Sequence, residues 1–582
     1  MKARLAAAFV AATALVLAGI VPAQAGRGQD RGFDEPYTGF APPNTKLRAA
    51  SPEEAGLNAG TLTELVDKLK GYMEPQGTQK PIYPGAVVLA AHDGEVALLE
   101  AMGKAVKYTD FQGTELPADQ QVAMRTDTIF DMASVSKLFT SIVIMQQVEK
   151  GRIDLDRPVW TYLKPFKANG KEAVTVRQLL THTSGLPSWV ALWRLYPDKA
   201  SRIHATLTIA PQAPPDTRYT YSDLNLITLG VLAEHVSGKS LDQLVSDGIS
   251  EPLGMVDTGY NPPASKLDRI AATEYESAPP RGIVRGSVHD ENAWSLGGVA
   301  GHAGIFSTAS DLAILCQTIL NGGRYDRHKI LSRESVEAMI TNYNQKFPNN
   351  SHGLGFELDQ LWYMSGLSSP HTAGHTGFTG TSLVIDPMSR TFVVLLTNRV
   401  HPSRDWSSAT MKFARQTAAQ YVARAVKVTP RKGETAWFSG LVDASTATLT
   451  LPVDLRSEST KLTFSQFVET ERSDWLTLEL SRDGGTTWAP VPFETRSKDG
   501  AESAYTGQIS GFNGREWRTV RADLAGPPGP VQLRWRYTSD TLYQGRGVYV
   551  DAIRLSDAQG VLVDGESEAE RFTAVGFAAA TR

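Results

Sequence analysis

After Ser51, the apolar residues Leu62, Leu65, Val66 and Leu69 recur at helical spacing and predict a helix with one buried face. Two strand-like runs follow, Ala86 to Ala91 and Glu95 to Ala101, separated by Asp93-Gly94, which suits a tight hairpin turn. Ser134 opens a second amphipathic segment, with Leu138, Ile142, Met145 and Val148 as its buried face and Gly151 as its stop. A third, carrying Leu226, Leu229, Ala233 and Val236, follows Asp223 and ends near Gly238. Thr381 to Asp386 and Thr391 to Thr397 read as a further strand pair, so helices and strands mix up to about residue 425 and predict an α+β fold. Beyond Lys432 the helical period fades into alternation, as in Leu476, Leu478 and Leu480, or Val531, Leu533, Trp535 and Tyr537. Turn signals such as Asp483-Gly484-Gly485 punctuate these runs, and the texture predicts an all-β sandwich.

At 582 residues the chain exceeds what one hydrophobic core supports. The expected division is an enzyme domain at 51–425, a linker at 426–440 and a sandwich at 441–582. Lys2 and Arg4, the apolar run Leu5 to Ile20 and the small residues around Ala23-Gln24-Ala25 make residues 1–25 a secretory signal, with an N-terminal extension at 26–50. Export is therefore expected, with no membrane association once the signal is removed. Cys316 is the only cysteine, so no intramolecular disulfide can form, and a core position explains it most simply. A formal net charge of -4 with no basic cluster gives no electrostatic reason to expect nucleic acid as a partner.

Three segments carry candidate chemistry. In Ser134-Val135-Ser136-Lys137 the hydroxyl and the amine lie three residues apart, on one face of a helix, as a nucleophile and a base. A serine at a helix start also points its own amide toward a developing oxyanion. In Tyr221-Ser222-Asp223 the phenol can relay a proton to a leaving group, while Asp223 can orient Lys137 or accept from a substrate donor. Gly374-His375-Thr376-Gly377-Phe378 precedes a strand, where glycine allows close backbone approach and an edge amide can become a second oxyanion donor.

With Leu179-Leu180-Thr181-His182-Thr183-Ser184-Gly185-Leu186-Pro187 and the extension to Thr379-Gly380-Thr381, the three segments resemble the serine β-lactamase and penicillin-binding protein superfamily, nearest its class C and esterase-like branch. The likeness covers about residues 51 to 425. It implies an antiparallel sheet with flanking helices, Ser134 as the acylated nucleophile, Lys137 and Tyr221 sharing the proton work, and the amides of Ser134 and Phe378 as the oxyanion hole. Asp223, His375, Thr376, Gly377 and Phe378 are the expected substrate contacts. Two departures stand out. Asp223 replaces the usual Asn and should keep Lys137 protonated, weakening it as a base. His375 replaces the usual lysine, so a permanent cation for a substrate carboxylate becomes one present mainly below about pH 6.5.

No cofactor is expected, and no metal: His289-Asp290-Glu291-Asn292 gathers ligand types without metal-site spacing, and with Gly297-Gly298 and Gly301-His302-Ala303-Gly304 it reads as a site wall. The sandwich resembles the jelly-roll modules of secreted bacterial hydrolases, including immune-inhibitor-type metalloproteases, through Leu478 to Trp488 and Gly547-Val548-Tyr549-Val550-Asp551. Such a module can contact cell wall or glycan, bind calcium, or only stabilise its neighbour. The expected function is a secreted serine hydrolase forming an acyl-enzyme at Ser134 with an ester or amide, from a small-molecule or peptide substrate that includes cell-wall-derived ones. The alternatives are a D-aminopeptidase or carboxypeptidase, and a penicillin-binding-type protein with little turnover. All three motifs precede residue 433, so small-ester hydrolysis is expected to survive deletion of 433–582.

Overall fold

The structure of the protein, a computed structural model, describes residues 39–75, 77–541 and 544–581. The expected signal at 1–25 lies outside the described residues. Among the described residues no helix is long and apolar enough to cross a membrane.

The enzyme half is built on one sheet. Its strands are β1 (Arg48–Ala49), β2 (Gly85–His92), β3 (Glu95–Val106), β4 (Glu357–Leu358), β5 (Ala373–Thr376), β6 (Ser382–Asp386) and β7 (Thr391–Thr397). They lie in the order β1-β3-β2-β7-β6-β5-β4, antiparallel except where β1 meets β3, and Val122–Ala123 adds a short partner to β3. Both faces of the sheet are covered. Val87, Leu89 and Ala91 of β2 enter one core, while Ala86, Val88 and Ala90 enter another with helices α1 (Ala59–Gly71) and α4 (Met411–Ala425). Burial on both sides explains why Ala86 to Ala91 is apolar throughout rather than alternating.

Helix α2 (Ser136–Glu149) departs from the amphipathic expectation: Ser136 through Gln147 are all buried. Several of its polar residues are satisfied internally rather than solvated, while Ser141 Oγ and Gln147 Nε2 are buried without a hydrogen-bond partner among the described residues. Thr140 donates to Gly301 O at 2.8 Å, Gln146 to Gly248 O at 2.7 Å, and Ser136 Oγ accepts from Ile305 N at 3.0 Å. Against α2 packs α3 (Asp223–Ser237). Gly151 and Gly238, at φ of 67° and 71°, take the left-handed conformation that ends each helix. Cys316 is buried in the helix Ala309–Leu320, and burial pushes its thiol pKa up.

The C-terminal half is two antiparallel sheets around Trp535, with Phe464 edge-on to it at 5.3 Å. Ala436–Phe438 already pairs within this sandwich, against Gly547–Asp557. The two halves are joined by Arg515, which is buried and bonds Asp386 at the end of β6, Glu469 Oε1 at 2.9 Å, and the carbonyls of Leu367 and Ser368 at 2.9 and 3.0 Å. Arg515 thus ties the sheet to the sandwich, and truncation after residue 432 would remove both that cation and the sandwich surface beside Asp386.

Candidate active site

Ser134 lies in a 3-10 turn, Ala133–Val135, that leads directly into α2. Ala133 holds a left-handed φ of 46°, a conformation costing about 1–2 kcal/mol for a non-glycine residue. The turn is over-determined by its neighbours. Asp131 Oδ1 accepts from Ala133 N at 2.8 Å and Asp131 Oδ2 from His289 N at 2.6 Å. Thr379 Oγ1 donates to Asp131 O at 2.7 Å and Thr381 Oγ1 to Met132 O at 3.0 Å, tying the β5–β6 turn to the serine. Gly377 makes that approach feasible, since a Cβ there would stand 2.4 Å from Met132 O.

Lys137 Nζ donates to Ser134 Oγ at 2.7 Å and to His302 O at 3.2 Å, lies 2.8 Å from Asp223 Oδ1, and sits over the Tyr221 ring at 4.8 Å. Burial works to lower the pKa of this ammonium, but Asp223 and Tyr221 outweigh it and hold it above its ordinary value. Burial pushes the Tyr221 phenol up to about 12, against the pull of the neighbouring Lys137 and Ser134. The His182 ring lies against Tyr221 at 4.6 Å, tilted by 34°, and its Nδ1 accepts from Ser222 N at 3.0 Å.

Two peptide planes fix the directions of the amides of Ser134 and Phe378. The carbonyl of Ala133 accepts from Ser136 N, so the amide of Ser134, on the opposite side of that planar peptide, points out of the helix start. Arg415 holds Gly377 O at 2.6 Å, which likewise turns the amide of Phe378 away from the guanidinium. Ser134, Tyr221, Thr376, Gly377 and Phe378 line a common open cavity of about 560 Å³, together with Tyr219, Glu357, Trp362, Arg399, Lys412 and Arg415.

His375 does not match its expected role. Its ring is buried behind the cavity wall, 6.1 Å from the Tyr221 ring, with Nδ1 donating to Thr376 O at 2.8 Å. Burial, reinforced by the nearby Lys137 charge, pushes its pKa down to about 3, so it carries no proton to offer a carboxylate near pH 6.5. The alternation of β5 explains the outcome: Thr376 faces the cavity, so its neighbour faces the other side. Positive charge at the cavity comes instead from Arg399, Lys412 and Arg415, and an acid, Glu357, stands among them. Sequence motifs gave no signal for these four, which sit on a two-residue strand, a loop and the last helix of the enzyme half.

Two clusters near the site combine ligand types: Asp223, Asp290 and His302, and Glu274, Glu276 and His289. Each is engaged by protein partners. Asp290 accepts from His302 at 2.8 Å and Asp223 faces Lys137; Glu274 binds His289 at 2.8 Å and Arg404 at 2.5 Å, and Glu276 binds Arg281 at 2.5 Å. The second cluster supports Phe378, on which His289 stacks at 5.8 Å.

Asp223→Asn is expected to move the rising limb of the pH profile of kcat, for a neutral ester, to lower pH by about one unit or more. The carboxylate raises the Lys137 pKa; without it burial prevails and the amine loses its proton earlier. At a pH on that limb, turnover rises about tenfold, and an unmoved limb would remove Lys137 from the proton path.

Comparisons with known proteins give the family and the fold. The family model described as Beta-lactamase matches residues 67–416, and one described as Immune inhibitor A-like, MAM domain, matches residues 412–581. A protein of Escherichia coli O157:H7, provisionally named a D-alanyl-D-alanine carboxypeptidase, is 33% identical over 390 residues, which are 61% of this chain and 86% of that protein. A protein of the same provisional name from Salmonella typhi is 32% identical over 398 residues, 62% of this chain and 88% of that one. Among solved structures, a beta-lactamase/D-alanine carboxypeptidase from Pseudomonas syringae shares the fold with a TM-score of 0.50 at 18% identity, covering 64% of this chain and 100% of that one.

Proposed function

The chain belongs to the beta-lactamase family of serine hydrolases, and from that premise we propose that it is an exported enzyme acylated at Ser134 by an ester or amide carbonyl. The observation that carries the reading is Lys137 Nζ at 2.7 Å from Ser134 Oγ, at the wall of the cavity. Ser134 Oγ attacks the carbonyl carbon while its proton passes to the Lys137–Tyr221 pair. The amides of Ser134 and Phe378 receive the oxyanion. The pair then returns the proton to the leaving oxygen or nitrogen, and water repeats the sequence to release the acid. Because Asp223 keeps Lys137 protonated, the working base is the minority state of the pair that has already lost a proton, and turnover should climb with pH.

A carboxypeptidase reading has its own support, since Arg399, Lys412 and Arg415 bring positive charge to the cavity and could receive the terminal carboxylate of a peptide. The names of the relatives point the same way. Export rests on Lys2, Arg4, the apolar run and Ala23-Gln24-Ala25. In this reading residues 51–425 form the enzyme, and the sandwich from 441 to 582 is an accessory module that contacts cell wall or glycan.

The test is intact-mass analysis of the full-length protein after exposure to a fluorophosphonate and to a penicillin, with peptide mapping, followed by turnover of a chromogenic ester. One adduct per chain at Ser134 and steady turnover are expected. An adduct elsewhere would sink the assignment, and a single stoichiometric burst would favour the penicillin-binding-type alternative.

A further inference from the structure

Glu357 has no part in the chemistry above. It sits on β4, beside Gly374 of β5, and its carboxyl reaches the wall of the cavity that Ser134 opens into. Its Oε2 is shielded from solvent and has no hydrogen-bond partner. The phenol of Tyr363 lies beside it, yet the Tyr363 oxygen also completes no bond. The nearest guanidinium, Arg415, forms no ion pair with it among the described residues and is committed to the carbonyls of Gly377 and Thr381 at 2.6 and 3.3 Å. An acid left in this state is costly in the empty protein: burial pushes its pKa up to about 7. Tyr219 and Trp362 are two of the four aromatic side chains that line the cavity with it, and the Trp362 ring already takes the Arg415 guanidinium at 6.0 Å. Aromatic faces around a carboxylate suit a cation, which gains from the rings and from the charge together.

We propose that Glu357, walled by Tyr219 and Trp362, is a specificity subsite that receives a primary ammonium group of the substrate. The inference rests on the reading of Ser134 as the acylated residue and adds a substrate class to it: amine-bearing esters or amides. With Arg399 and Lys412 across the same cavity, the preferred substrate carries both an ammonium and a carboxylate, as a peptide fragment with a free amino-acid head does. An ammonium at the cavity face of the carboxyl would ionise Glu357 and offset the cost of its burial.

The experiment uses the full-length protein and two matched pairs of esters. One pair carries a primary amine on the acyl chain, the other on the leaving alcohol, and each is measured beside its N-acetylated twin. In one of the pairs kcat/KM is expected to favour the free amine by about tenfold. Glu357→Gln should bring that ratio close to one and Glu357→Asp should keep part of it, with thermal melting as the check on folding. Parity in both pairs for the wild type, or a preference that survives Glu357→Gln, would overturn the proposal. Should none of the four esters turn over, the Ser134 reading fails, and the subsite is still measured by calorimetry of hexylamine against hexanol on Ser134→Ala. Tighter binding of the amine, lost in the Ser134→Ala, Glu357→Gln double variant, supports the subsite; equal binding overturns it.

Discussion

Ser134→Ala is expected to lower kcat for ester hydrolysis by at least about a thousandfold while leaving the fold unchanged. The hydroxyl oxygen is the group placed to form the acyl bond, and the remaining machinery can only orient a substrate and polarise its carbonyl. Residual catalysis from such binding and oxyanion contacts survives in other serine hydrolases, so the background should not fall to that of water. Stability should be almost untouched. The turn is held by Asp131, Thr379 and Thr381 and not by Ser134 Oγ, and Lys137 keeps His302 O and Asp223 when the hydroxyl is gone. Lys137→Ala is a poorer probe, because it would strand Asp223 without its cation and mix a folding defect with a catalytic one. Turnover of a chromogenic ester, fluorophosphonate stoichiometry and a thermal melt check the prediction together. Retention of more than a few per cent of wild-type activity by a correctly folded variant would remove Ser134 from the role.

What the chain discloses before its fold is known depends on whether a pattern is local. The hairpin around Asp93-Gly94, the helix carrying Leu62, Leu65 and Leu69, and the strands from Ser382 to Thr397 follow from period and turn chemistry, and the structure has them. The sandwich strands were equally legible, because burial of a single face writes alternation into the sequence. Helix α2 was not. Ser136, Thr140 and Gln146 look like a solvated face until their buried partners Ile305, Gly301 and Gly248 are known, all distant in sequence. The same limit governs the cavity. Position in a motif brought Ser134, Lys137, Tyr221, Asp223 and the turn after β5 to notice, but which side of β5 the His375 ring takes is decided by packing. Glu357, Arg399 and Arg415 belong to no local pattern and meet only through the sheet order and the last helix.

The second large effect is expected at mildly acidic pH, and it comes from buried histidines. Four of them are held neutral by burial, and in His182 and His401 a bare ring nitrogen also accepts from backbone N–H groups. His401 Nε2 accepts from Lys107 N and Tyr108 N at 3.0 and 3.1 Å, and its Nδ1 donates to Thr273 O at 3.0 Å. His182 Nδ1 accepts from Ser222 N, while His352 and His375 donate from Nδ1 to Gly353 O and Thr376 O, each at 2.8 Å. Burial pushes the pKa of His352 and His401 down to about 4, that of His375 to about 3, and that of His182 well below its ordinary value. The unfolded chain takes up these protons near pH 6.5 and the folded one does not, so stability is constant above that value and falls as pH drops toward 4. At pH 5 each site costs about 2 kcal/mol, and the four together about 8 kcal/mol, a sum comparable to the whole stability of a typical domain. Carboxyls that burial raises work in the opposite direction: Glu357, Glu469 and Glu471, each pushed up to about 7, hold protons in the fold that the unfolded chain releases, and they offset most of the histidine loss between pH 7 and 5. The histidine share is therefore read by difference: the gap in urea unfolding free energy between the wild type and a His352→Gln variant should change by about 2 kcal/mol from pH 7 to 5, against the wild type, and a constant gap would show that the ring is solvated or protonated in the fold. Kinetics separate two accounts of His375. A ring that read a substrate carboxylate would raise KM for an anionic ester alone as pH passes upward through about 6.5. A ring buried behind β5 leaves the anionic and neutral esters with parallel profiles there, both following the rising limb that Lys137 sets.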